Sequence, residues 1–263
     1  MSIQVGLVKL KGKMDGISFF QSGGKHVARM ANGPDKKRIL TDKRYARTRE
    51  NNAEFGGCAK AAAAFRSAVR PVLNLADNRI TSRLISIFKE INLLEPGVRG
   101  QRSILLSQHR EQLINFDFDI NLPVSALFTG MIKNESTPDR LGATIKFENA
   151  LLNRITDAPS NATHVKFTQL LATWCDHVYN AELNKYEPVL PKFQSANIIT
   201  NSEYFSLSNK TPLTFSLQST LQDEAPNESI SVLHCFGLSF YQQTGENFYL
   251  LNRGSALKVI DIF

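Results

Sequence analysis

The chain has 263 residues, 42% of them hydrophobic and 21% charged, which is typical of a folded globular protein and excludes wholesale disorder. The net charge of +7 is unevenly distributed. Residues 1–49 carry 12 basic and 3 acidic side chains, a net +9, whereas residues 50–263 carry 19 basic and 21 acidic side chains, a net −2. This asymmetry indicates a polyanionic partner, which could be nucleic acid, an anionic membrane surface or an acidic patch on another protein; a solvated face that aids solubility is the alternative.

The first thirty residues predict a small β-meander over residues 5–30. Residues 7–14 (LVKLKGKM) alternate apolar and basic side chains with the period of a strand. Asp15-Gly16 and Gly23-Gly24 are signals for two-residue turns. The second pair is followed by Lys25, but it lacks the spacing of a phosphate-binding loop, so a hairpin turn is predicted there. The lysines predicted to share one strand face are Lys9, Lys11 and Lys13.

From Thr41 the apolar period becomes that of a helix, which Pro71 is predicted to end or kink. Gly56-Gly57 weaken its middle by about 1 kcal/mol each relative to alanine. A second helix is predicted after a cap at Asp77 or Asn78, ending near Glu95-Pro96-Gly97. The two helices would form a hairpin. The apolar stripe of the second helix consists of Ile80, Leu84, Ile87, Phe88 and Ile91.

After residue 110 the chain reads as short strands separated by polar turns. Residues 114–121 (INFDFDIN) alternate strictly, and further strands are predicted within residues 142–152, 163–174, 202–208, 212–221, 230–243, 246–252 and 256–263. Because no crossover helices separate them, an antiparallel β-sandwich is favoured over a parallel sheet.

The predicted fold is therefore α+β, in two parts. A basic β-meander and a two-helix region occupy residues 1–100, and an antiparallel β-sandwich occupies residues 101–263. Residues 97–103 (GVRGQRS) are the predicted linker, and their two arginines, with Arg110, form a minor second basic patch.

Two groups of residues are candidate chemical sites. Asp117 and Asp119 share one strand face, where paired carboxylates could perform acid–base chemistry; an exposed strand face is the simpler interpretation. Two Cys/His pairs, Cys175 with His177 and His234 with Cys235, lack the usual spacing of zinc ligands. Buried core residues are the simpler interpretation of both pairs. The sequence predicts no catalytic residue, metal or cofactor.

The favoured contact site is a basic cluster early in the chain, suited to a polyanion or to an acidic neighbouring subunit. Cations in such rows can follow a phosphate backbone. Phe19, Phe20 and Tyr45 are candidate stacking surfaces for unpaired bases, although a hairpin core is the simpler role for the two phenylalanines. The predicted contact residues are Lys36, Lys37, Arg38, Lys43, Arg44 and Arg47.

Three stretches resemble those of a bacterial family of hypothetical proteins: DGISFFQSGGKHVAR, TRENNAEFGGCAKAA and LSFYQQTGENFYLLN. The resemblance implies a bacterial, cytoplasmic origin and supplies no activity or site residue. Cytoplasmic localisation is also predicted from the three cysteines, which lack a disulfide spacing, and from a start that does not resemble a signal peptide. No run of about 18 apolar residues predicts a membrane span.

Three functions fit these features. The favoured one is a non-enzymatic structural protein that assembles with copies of itself into a homo-oligomer, filament or tubule, with nucleic acid held by the basic N-terminal region. The alternative is a sequence-independent nucleic-acid-binding protein that forms no ordered assembly. The third is a hydrolase that uses Asp117 and Asp119.

Overall fold

The computed structural model describes residues 1–30, 34–222, 226–251 and 254–263. These residues form two compact units, unit 1 (residues 1–49) and unit 2 (residues 50–263). The boundary between the units coincides with the boundary between the basic segment and the rest of the chain. It does not coincide with the predicted boundary at residue 100, because the two-helix region shares unit 2 with the sheets.

Unit 1 contains an antiparallel sheet with the strand order β1-β4-β3-β2. Its turns are the two predicted from the sequence. Asp15 and Gly16 both have positive φ, at 42° and 76°, as do Gly23 and Gly24, at 55° and 75°, which is the backbone of a tight hairpin turn. After the sheet come a short helix α1, Lys36–Thr41, and a 3-10 turn, Lys43–Tyr45. The four strands are β1 Ser2–Ile3, β2 Gly12–Met14, β3 Ile17–Ser22 and β4 Lys25–Met30.

The predicted helical hairpin is confirmed. Helix α2 spans Ala46–Ala68 and is followed by a 3-10 helix, Arg70–Leu75, which carries the predicted breaker Pro71 in its first turn. Helix α3 spans Ile80–Leu94, and the carboxylate of Asp77 accepts a hydrogen bond from the backbone N–H of Arg79 just before it. A one-turn helix α4 spans Val124–Leu127.

The described strands of unit 2 form three antiparallel sheets. The largest has six strands in the order β10-β7-β13-β14, with β11 also paired to β7 and β15 to β13. A three-stranded sheet has the order β12-β6-β5, and β8 and β9 form a hairpin. The strands are β5 Lys133–Ser136, β6 Gly142–Ala150, β7 His164–Cys175, β8 His177–Asn180, β9 Lys185–Pro188, β10 Asn197–Asn201, β11 Phe205–Ser206, β12 Leu213–Thr220, β13 Ile230–Thr244, β14 Asn247–Leu250 and β15 Ala256–Ile262.

The six-stranded sheet is covered on both faces, which explains why β7 and β13 are long apolar runs rather than alternating strands. On one face Trp174 of β7 stacks on Phe88 of α3, with ring centroids 5.0 Å apart. On the other face Phe167 of β7 packs against Phe147 of β6, also at 5.0 Å, and joins the two sheets of the sandwich. The α+β fold with an antiparallel sandwich is thus confirmed.

Local details differ from the sequence prediction. Within residues 7–14 only Gly12–Met14 is a strand, so Lys9 and Lys11 lie outside the sheet. Residues 114–121 form no named strand, although their backbone pairs with β15: the N–H of Asn115 donates to Val259 and that of Phe118 to Leu257. The sequence did not predict β5, the β8–β9 hairpin or β10. Residues 97–103 lie inside unit 2 and are tied to α2, so they are not a free linker. Parts of the predicted strand at 246–252 and of the break at residues 32–35 lie outside the described residues.

Candidate interface on the N-terminal unit

The register of the unit 1 sheet sorts its side chains into two chemically different faces. Residues directly opposite each other on paired strands share a face. Met14, Ile17 and Met30 form one such cross-strand row, and Phe19 lies opposite Ala28 on the same face. We call these five residues the apolar face; no Lys, Arg, Asp or Glu shares it within the strands. The opposite face carries Lys13, Lys25 and Arg29 beside an apolar row formed by Ile3, Val27 and Phe20.

This sheet has almost no core of its own. Among residues 1–30 and 34–49, Val27 is the only one that is buried. Nine large apolar side chains are exposed in this part of the chain, compared with eleven in the described residues of unit 2, which is more than four times longer. Because water-exposed apolar area is unfavourable, this density makes unit 1 a candidate interaction surface. The nine are Met1, Ile3, Val5, Leu7, Val8, Leu10, Met14, Met30 and Leu40.

A loop held at its base presents three of these side chains. The side-chain amide of Gln4 pairs with the backbone of Leu10: its Oε1 accepts from the Leu10 N–H at 2.7 Å and its Nε2 donates to the Leu10 carbonyl at 3.1 Å. The N–H of Gln4 in turn donates to the carbonyl of His26 on β4, which fixes the loop to the sheet. Within the loop, Val5, Leu7 and Val8 are exposed. Period-two patterning predicted a strand here, and the apolar residues at its tip were not recognised as contact candidates.

The predicted basic cluster is centred on Asp42, the residue that separates α1 from the 3-10 turn. Its carboxylate accepts a hydrogen bond from the side chain of Arg44, at 2.9 Å, and pairs with Arg38 at 3.5 Å. The Arg44 hydrogen bond is the main cause of the lowered pKa of Asp42. Arg49 donates to the carbonyls of Ile39 and Asp42. The arginines therefore hold the α1–α2 connection in place.

The lysines of the cluster play no such structural part. Lys36, Lys37 and Lys43 are exposed, and none of their ammonium groups makes a hydrogen bond or ion pair with another described residue. Arg47, at the start of α2, is also exposed. The six predicted residues thus all lie in unit 1, but Arg38 and Arg44 support the local fold through Asp42, whereas the three lysines make no such contact among the described residues.

The two aspartates considered for acid–base chemistry serve local structure. The carboxylate of Asp117 accepts the N–H of Val124 at the start of α4, at 2.9 Å, and burial raises its pKa. Asp119 accepts from the backbone and side-chain amides of Asn121. The structure gives no hydrogen bond between the two carboxyl groups among the described residues.

The Cys/His pairs do not converge. His234 lies opposite Leu171, four residues along β7 from Cys175, or about 13 Å at strand spacing. Cys235 points to the opposite face of the sheet from His234. The ring of His177 stacks on Trp174 and bonds to the carbonyl of Cys175. In the part of the chain that the structure describes, no group of three or more His, Cys, Asp or Glu residues is arranged to hold a metal.

Comparison of the chain with protein-family models, with curated proteins and with solved structures finds no match. None of the helices in the described ranges is long and apolar enough to cross a membrane.

Proposed function

We propose that the chain is a non-enzymatic structural protein that assembles with copies of itself through unit 1. The observation that carries this proposal is the sheet of unit 1, in which Val27 alone among the described residues is buried while Met14 and Met30 stay exposed on the apolar face. A sheet gains stability when one face is covered by a core or by another element. A neighbouring subunit that covers the apolar face supplies that core.

The charge distribution favours a heterologous contact over an isologous one. In a two-fold contact, unit 1 would meet a second unit 1, and two segments of net +9 would repel each other. Unit 2 carries a net −2, so its charge does not repel unit 1. We therefore propose that unit 1 of one copy binds unit 2 of the next. Repeated contacts of this kind give a ring when the rotation closes and a filament when it does not.

Light scattering coupled to size-exclusion chromatography, with negative-stain microscopy of the same fractions, tests the proposal. Wild type is expected to form rings or filaments. A double variant on the apolar face, Met14→Ser with Met30→Ser, and one in the loop, Leu7→Ser with Val8→Ser, are expected to be monomeric.

The matching variant of unit 2 replaces two of its exposed apolar residues, Met131→Ser with Leu183→Ser. Loss of assembly in this variant would place the surface that receives unit 1 at these residues, and assembly as in wild type would place it elsewhere on unit 2. Monomeric wild type at high concentration would refute self-assembly. A closed dimer that survives both unit 1 variants would refute the role of unit 1.

A sequence-independent nucleic-acid-binding protein is the second candidate. It is supported by Lys36, Lys37 and Lys43, whose exposed ammonium groups have no partner among the described residues. Ammonium groups in such a cluster bind phosphates mainly through charge, without reading bases. No separate observation favours the hydrolase, since each aspartate is engaged in its own local hydrogen bond.

A further inference from the structure

A pocket of about 440 Å³ opens in unit 2 between α2, α3 and the loop that follows α3. Three of its lining side chains are cationic, one is an amide and one is apolar. Two of the cations, Arg99 and Arg102, belong to the minor basic patch that the sequence predicts. The lining residues are Asn51, Lys89, Leu93, Gly97, Arg99 and Arg102.

A buried carboxylate holds two of the cations in place. Glu54 of α2 has no solvent exposure. Its two oxygens accept from Nε and Nη2 of Arg102, both at 2.8 Å, and it also pairs with Lys89 and with the N–H of Gly100. Lys89 donates to the Asn92 side chain at 2.8 Å as well. Because these bonds fix the positions of Lys89 and Arg102, a ligand would not have to order them, which favours binding.

The third cation is held at the pocket by different partners. Nη2 of Arg99 donates to the side-chain oxygen of Asn51 at 2.8 Å, and its Nε lies 3.7 Å from the carboxylate of Glu50. The side chain of Arg99 remains about half exposed, at 47%. The three cations therefore face two carboxylates, Glu50 and Glu54, which leaves one excess positive charge at the pocket.

We propose that this pocket binds the phosphate group of a small organic phosphate. Guanidinium and ammonium groups are the side chains that bind phosphate oxygens most strongly. Arg102 engages Glu54 through Nε and Nη2, and this leaves Nη1 as a further donor. The volume falls within the range of about 300–1,000 Å³ that accommodates small organic ligands, so there is room for more than the phosphate. Leu93 supplies an apolar wall for the organic part.

Titration of the full-length protein at low ionic strength, followed by backbone amide NMR shifts, tests the assignment. The probes are inorganic phosphate, adenosine monophosphate and adenosine. We expect both phosphates to shift the amides of Asn51, Leu93 and Arg99, and adenosine to leave them unchanged. Adenosine monophosphate should bind more tightly than inorganic phosphate, because it also contacts the apolar wall.

Two pairs of variants separate a specific site from general attraction to a basic protein. Arg99→Gln removes a cation that does not hold Glu54, and it should weaken adenosine monophosphate binding by about tenfold or more, as expected for one charge-assisted hydrogen bond. Arg79→Gln, an exposed arginine at the other end of α3, should have no effect. Leu93→Glu introduces a repelling charge and should abolish binding, whereas Leu94→Glu, similarly exposed but outside the pocket lining, should not.

Selective loss in Arg99→Gln and Leu93→Glu supports the proposal. It is overturned if neither phosphate shifts these amides at millimolar concentration, if adenosine binds as well as its monophosphate, if inorganic phosphate binds and the monophosphate does not, or if the control variants lose binding equally.

Discussion

Gly57 of α2 lies directly against the ring of Tyr186 on β9. A Cβ built on Gly57 would be 2.6 Å from Cγ and Cδ2 of that ring, well inside van der Waals contact. The neighbouring Gly56 has no atom within 4 Å of a Cβ built in the same way. Of these two adjacent glycines, only Gly57 is therefore required by packing against Tyr186.

Replacing each glycine by alanine should change stability in opposite directions. Gly56→Ala should raise the free energy of unfolding by about 1 kcal/mol through helix propensity. Gly57→Ala should lower it by about 1–3 kcal/mol, because Tyr186 or the helix must move to accommodate the methyl group. Urea unfolding followed by circular dichroism measures both. Equal stabilisation by the two substitutions would show that the helix and Tyr186 are not packed closely.

Glu54 is expected to be the most sensitive charged residue in unit 2. Removing one member of a buried ion pair leaves the partners uncompensated, so Glu54→Gln should lower the free energy of unfolding by about 3–5 kcal/mol. Glu90→Gln, an exposed residue on α3, is the control and should be close to neutral. A loss below about 1 kcal/mol for Glu54→Gln would mean that Lys89 and Arg102 find water or other partners at little cost.

We also expect Glu54 to make the stability of the protein decrease in acid. Burial raises the pKa of Glu54, but the hydrogen bonds from Arg102, Lys89 and Gly100 outweigh it and lower the pKa from 4.5 to about 2. The folded carboxylate therefore binds its proton at a lower pH than the unfolded one. Its contribution is complete above about pH 4.5 and disappears as the pH falls toward 2. Unfolding free energies measured across this range should decrease more steeply in wild type than in Glu54→Gln.

We expect a second decrease in stability, caused by His234 and His177, at a higher pH than the decrease caused by Glu54. Burial lowers the pKa of each from 6.5 to about 4. In His234, Nε2 accepts a hydrogen bond from the Gln169 amide at 3.0 Å, a geometry that suits the neutral ring. Between pH 6.5 and 4 the unfolded chain binds more protons than the folded chain, so stability is lost as the pH falls, by about 1.4 kcal/mol per pH unit for each histidine.

His234→Gln cannot titrate and should remove one of these two contributions, reducing the slope of stability against pH between about 4.5 and 6 by about 1.4 kcal/mol per unit. Chemical unfolding at several pH values measures the slope, with stability at pH 7.5 as the reference for any packing change. An unchanged slope would indicate that the folded His234 binds a proton as readily as the unfolded one.

The nucleic-acid alternative predicts a specific salt dependence. If Lys36, Lys37 and Lys43 each contact a phosphate, replacing all three by glutamine should reduce the slope of log K against log salt by roughly 2–3, since each contact contributes about 0.7–0.9. Fluorescence anisotropy with single- and double-stranded oligonucleotides gives the slopes. Lys133, Lys185 and Lys210 of unit 2, replaced together, form the control set. Equal slopes in wild type and in the unit 1 variant would place any nucleic-acid contact elsewhere.

Local features of this fold could be predicted because short stretches of sequence determine them. Asp15-Gly16 and Gly23-Gly24 tolerate positive φ, so they predicted the two hairpin turns, and the apolar period of residues 80–91 predicted α3. By contrast, residues 7–14 alternate like a strand but mostly form a loop, because the amide of Gln4 binds the backbone of Leu10 in place of a neighbouring strand. Local alternation does not reveal such a competing partner.

The sequence by itself determined the separation of charge at residue 49, the tight turns, the helical hairpin and the antiparallel character of the strands. Only the tertiary structure decided which residues meet. Strand register placed Met14, Ile17 and Met30 on one uncharged face. Folding also brought Arg102 to Glu54 across 48 residues and Tyr186 to Gly57. These contacts depend on long-range packing, which no periodicity within one segment encodes, and they define both the apolar face and the cationic pocket.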